Sequence, residues 1–73
     1  MVVTLESTDK VVTLNGVPAR IWEGLTASGI QCHAFVTRIA VSADADTTAF
    51  DLELLEQRPP SPEVEAIPLR LVL

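Results

Sequence analysis

The dipeptide Asn15-Gly16 lies between Val11-Val12-Thr13-Leu14 and Val17-Pro18-Ala19-Arg20-Ile21-Trp22-Glu23. It commits this part of the chain to a β-hairpin. A type I′ turn needs φ > 0 at both central positions, and Asn followed by Gly tolerates that best. Val17 to Glu23 is therefore expected to return antiparallel to Val11–Leu14. Val17, Ala19 and Ile21 then share one face, and Arg20 and Trp22 the other. Pro18 has no N–H for a ladder, which places that end of the strand at an edge or a bulge.

The remaining elements are read around this hairpin. Val2-Val3-Thr4-Leu5 is short and β-rich, and the polar run Glu6–Lys10 is expected to turn the chain. Gly24–Gly29 forms the next turn region. Ile30 to Val41 is the longest β-like stretch. Its even set (Ile30, Cys32, Ala34, Val36, Arg38, Ala40) is mostly small and apolar and suits packing under a helix. Its odd set (Gln31, His33, Phe35, Thr37, Ile39, Val41) is polar first and apolar later. A helix is expected from about Asp46 to Gln57, capped by Asp44 or Asp46, with Thr48-x-x-Asp51 resembling a capping box. Acids in its first half and Arg58 at its end suit the macrodipole, and Pro59-Pro60 stop it. At 100° per residue Phe50 and Leu54 lie together, while Leu52 and Leu55 lie well round from them. One sheet covers only one such stripe.

Arg58 to Glu63 is a stiff, Pro-rich connection. Ile67 to Leu73 alternates as a half-buried strand, with Leu69, Leu71 and Leu73 on one side and Arg70 on the other. An apolar ending of this kind is expected to be tied down. The expected fold class is α+β: an antiparallel β-sheet of three to five strands with one α-helix packed on one face, in the order β-β-β-α-β. Residues 1–73 are expected to form a single domain.

Charge and composition exclude whole classes of function. Five Lys and Arg against ten Asp and Glu give a net charge of −5. That balance argues against direct nucleic-acid binding, which needs clustered cations. One Cys permits no intramolecular disulfide, and with one His it builds no usual zinc site. No apolar run reaches the length of a membrane span. The start lacks a basic n-region and a long apolar core, so no secretion signal is expected. An unpaired Cys then fits a cytoplasmic location. A domain of this size hides only about 60–65% of its unfolded surface. With 48% apolar residues and neither disulfide nor metal to staple it, the chain is expected to associate with a second copy.

The side chains that could carry chemistry are few. Cys32 and His33 are adjacent, so a strand sends them to opposite faces, which is wrong for a nucleophile and its base. Asp44 and Asp46 lack the ligand series of a calcium loop. Gly16, Gly24 and Gly29 are isolated turn glycines rather than a phosphate cradle. No metal site, cofactor or catalytic set is expected. Trp22 either anchors an interface, with Arg20 and possible support from His33 on a nearby strand, or closes one end of the core. Arg20, Arg38 and Arg70 either share a sheet face and hold an anion or nucleotide, or pair with the surplus carboxylates. Leu52, Leu55, Leu71 and Leu73, with Trp22, are the interface candidates.

Three stretches, Leu14-Asn15-Gly16-Val17-Pro18-Ala19-Arg20-Ile21-Trp22-Glu23-Gly24, His33-Ala34-Phe35-Val36-Thr37-Arg38-Ile39-Ala40-Val41 and Ala66-Ile67-Pro68-Leu69-Arg70-Leu71, resemble small uncharacterised proteins of bacterial phages and prophages. The resemblance implies a mobile-element setting and assigns no role to any residue. The expected function is a small non-enzymatic interaction module that self-associates as a homo-oligomer. The alternative is a phage-encoded inhibitor or sequestering protein acting on a host defence protein or a small anionic signal.

Overall fold

The computed structural model describes residues 1–62. The expected strand Ile67–Leu73, and with it Arg70, Leu71 and Leu73, lies outside the described residues. The described chain runs β1 (Val3–Leu14), β2 (Val17–Thr26), β3 (Gln31–Val36) and α1 (Thr47–Leu54). The three strands form one antiparallel sheet in the order β1-β2-β3. The architecture is α+β.

Asn15 and Gly16 take φ of 51° and 81°, and Leu14 pairs directly with Val17. The hairpin closes as the Asn-Gly chemistry requires. In the second turn Gly29 takes φ 85°, and its N–H donates to the Thr26 carbonyl at 3.0 Å.

Glu6–Lys10 does not turn the chain. β1 runs through it as one strand, and the run becomes a bulge. Ser7 pairs with Trp22 and Val11 with Arg20, so Thr8, Asp9 and Lys10 stand opposite Ile21 alone. Thr8 is fully buried, and its hydroxyl donates to the Ile21 carbonyl at 2.6 Å. The extra backbone groups are met from far along the chain. The Asp9 N–H donates to the Arg58 carbonyl at 3.0 Å, and the Arg58 N–H to the Ser7 carbonyl at 3.3 Å. A buried backbone group needs a partner, and here residue 58 supplies it where the regular ladder cannot.

β3 ends at Val36 rather than Val41. In the observed register Arg20 faces Val36, so continued pairing would bring Arg38 opposite Pro18, which has no N–H to give.

α1 is also shorter than expected. Asp46 is its N-cap, accepting from the Ala49 N–H at 3.1 Å, so the capping box from Thr48 does not form. Asp44 instead donates its backbone N–H to the Ser42 hydroxyl at 3.3 Å. The first turn carries no acid and the last no base, so the expected macrodipole pattern is absent. The helix stops well before Pro59. The Leu55 and Glu56 N–H groups reach back three residues, to Leu52 and Glu53, and the Glu56 carbonyl is already held by the Ser7 hydroxyl at 2.9 Å. The residue before a proline favours extended backbone, and Arg58 uses it to pair alongside β1.

No residue of α1 is buried. An eight-residue helix is marginal in water by itself, so its cap carries an unusual share of its stability. Asp46→Ala should cost about 1 kcal/mol and melt α1 while the sheet stays intact. The check is the carbon chemical shifts of residues 47–54. They should move to coil values with strand shifts unchanged; retained helical shifts would count against this account.

Candidate functional site

Cross-strand partners share a face, so the register sorts the side chains. Arg20, Trp22 and Gly24 share one face with Val36, Ala34 and Cys32. Ala19, Ile21, Glu23 and Leu25 share the other with Phe35, His33 and Gln31. Cys32 and His33 therefore point apart, as strand alternation requires. His33 does not support Trp22: it stands opposite Glu23 on the other face.

The Trp22 face opens onto a cavity of about 520 Å³, walled by the sheet, by the segment after β3 and by α1. Phe50 and Leu54 of the helix line it, with Trp22, Val36 and Ile39. Arg20 and Arg38 both reach it, and Glu53 is its one acid among the described residues. Arg20 is held in place by a hydrogen bond from Nη1 to the Thr8 carbonyl at 2.9 Å. Two of the three arginines singled out by sequence thus line one space. Trp22 is half-buried in its wall. Leu52 and Leu55 point elsewhere, 63% and 76% exposed.

The opposite face holds a site the sequence reading passed over. Glu23 continues the buried alternation of Ala19 and Ile21 and is itself only 2% exposed. Arg58 Nη1 donates to its Oε1. The Ser61 N–H donates to the same carboxylate, at 3.0 Å to Oε1 and 3.3 Å to Oε2. Arg58 Nε also donates to Glu6 Oε2 at 3.0 Å. The Glu23 hydrogen bond raises the Arg58 pKa above the usual guanidinium range, against the opposing pull of desolvation, and Glu6 adds to the rise. His33 Nε2 lies 3.7 Å from Glu23 Oε2, and neither imidazole nitrogen has a hydrogen-bond partner among the described residues.

Beside this cluster is a smaller cavity of about 330 Å³, lined by Glu6, Glu23, Gly24 and Arg58 among others. Its Glu23 carboxylate is already engaged as an acceptor by a guanidinium and a backbone N–H. The arrangement is a clasp. It fastens the segment after α1 across the sheet, from one face round the β1 edge to the other.

Comparison with models of known protein families, with curated proteins and with solved structures finds no match. Among the described residues, no group of three or more His, Cys, Asp or Glu is placed to hold a metal ion, and no helix is long and apolar enough to cross a membrane.

Proposed function

We propose that this protein is a small non-enzymatic interaction module that self-associates, with one copy covering apolar surface of another. The observation that carries the reading is the balance of buried and exposed apolar side chains. Among the described residues, Ala19 and Ile21 are the buried hydrophobics, while Leu52, Leu55, Ile30 and Val2 are 63%, 76%, 64% and 71% exposed. Each large aliphatic side chain moved out of water is worth about 1.5–3 kcal/mol. Leu52 and Leu55 lie on the side of α1 turned from Phe50 and Leu54, so a partner reaches them without displacing the cavity wall. The finer arrangement, with α1 seated on one sheet face and a further strand completing the sheet, belongs to this proposal. So does a cytoplasmic setting, which suits a chain whose one cysteine has none to pair with.

Sedimentation equilibrium tests the proposal. The protein should run as a dimer or larger assembly at micromolar concentration, and Leu52→Glu with Leu55→Glu should convert it to a folded monomer. A parent protein that stays monomeric would sink the reading.

A second reading has its own support. Arg20 and Arg38 share one cavity, which supports capture of a small anion; in this reading the chain is a phage-encoded sequestering protein and the anion a signal of a host defence. Mixing with extract of a bacterial host tests it, and recovery of neither nucleotide nor host protein would count against it.

A further inference from the structure

We infer that the cavity between the Trp22 face of the sheet and α1 is a binding site for a small aromatic anion: a flat apolar body carrying a carboxylate or phosphate head. It rests on the second reading, whose anion site it makes specific, and is independent of self-association.

The first argument is volume. Sheet and helix would ordinarily interdigitate at the density of a solid. Here they stand apart across about 520 Å³, and α1 buries no side chain. The space falls within the roughly 300–1,000 Å³ of small-molecule sites. Phe50 and Leu54 face it from the helix and Trp22 from the sheet, so both walls offer apolar surface for a flat body.

The second argument is charge. The chain carries ten acids and five Lys or Arg. Among the described residues around this cavity the ratio inverts, with Arg20 and Arg38 against Glu53. Arg20 is anchored through Nη1 to the Thr8 carbonyl, which fixes its guanidinium while leaving its other N–H groups without a partner among the described residues. Arg38 is exposed, and among the described residues it makes no ion pair or hydrogen bond within the chain. A planar fork of donors held at an apolar cavity recognises carboxylate and phosphate oxygens with geometric fit. The alternative role of these arginines, neutralising surplus carboxylates, is taken by Arg58, which engages Glu6 and Glu23 on the opposite face.

Trp22 is the only tryptophan and stands in the wall, so its indole N–H resonance reports directly on occupancy. The intact protein is titrated with 1-naphthyl phosphate, 1-naphthoate and neutral 1-naphthol. Both anions should shift the indole resonance saturably, and their relative affinities distinguish a phosphate from a carboxylate site. Naphthol should bind at least about tenfold more weakly, the worth of one hydrogen bond to a charged group. Arg38→Gln should weaken the anions about tenfold and leave naphthol unchanged, and Glu53→Gln should tighten the anions. Both positions are on the surface, so the amide spectrum of each variant should keep its dispersion. An unmoved indole resonance, equal binding of naphthol and the anions, or indifference to Arg38→Gln would each overturn the inference.

Discussion

Gly24→Ala is expected to be among the most damaging single substitutions in the described chain. Gly24 faces Leu5 across the β1–β2 ladder. A methyl group built on it lands on the Thr4 carbonyl oxygen and lies 2.8 Å from the Thr4 carbonyl carbon and 2.9 Å from Leu5 Cα. These are backbone atoms, so no side-chain rotation relieves the clash, and β1 must separate from β2. Overpacking of side chains costs typically 1–3 kcal/mol; a collision with backbone should cost at least about 3 kcal/mol. A 73-residue domain has roughly 4–11 kcal/mol in total. Urea unfolding followed by Trp22 fluorescence should show a large fall in midpoint or no transition at all. A G24A variant with the parent midpoint would show that the two strands are not held this close.

Arg58→Ala is the second large effect. It leaves the Glu23 carboxylate, 2% exposed, with the Ser61 N–H as its remaining donor among the described residues. Stripping the partner from a buried charge costs about 3–5 kcal/mol. Arg58 is itself 39% exposed, which points to the lower end. The Glu6 contact adds little, because that side chain is 72% exposed and surface pairs are worth about 0–1 kcal/mol. The double variant Glu23→Leu with Arg58→Met removes both charges, and should be more stable than Arg58→Ala alone. The comparison is again the urea midpoint. Equal loss in the single and double variants would mean that packing by the Arg58 stem, rather than its charge, holds the clasp.

What the sequence disclosed follows from how local each cause is. The Asn15-Gly16 turn, the alternation of Ala19 and Ile21, and the Asp46 cap depend on residues within a few positions of one another, and the structure realises them. The helix stripes were readable for the same reason. The bulge was not. Glu6–Lys10 has turn composition, and only the Arg58 backbone, far along the chain, makes it profitable to keep those residues in a strand. The early end of β3 was hidden in a neighbouring strand, at Pro18. Glu23 had the clearest missed signal, since it occupies the next position of the buried set begun by Ala19 and Ile21. A carboxylate at such a position demands a cation, and Arg58, beside the prolines, supplies it.

The clasp also sets an order of assembly. Each β-hairpin joins near neighbours, so it forms with little loss of chain freedom. The Ser7–Glu56, Glu6–Arg58 and Glu23–Ser61 contacts span 49, 52 and 38 residues, and each must close a long loop before it returns anything. The meander therefore comes first and the buckle last. The same hierarchy predicts that residues 56–61 release before the regular ladders on either side of the bulge part, and that the Thr8–Lys10 bulge, held by the Arg58 backbone, loosens with them.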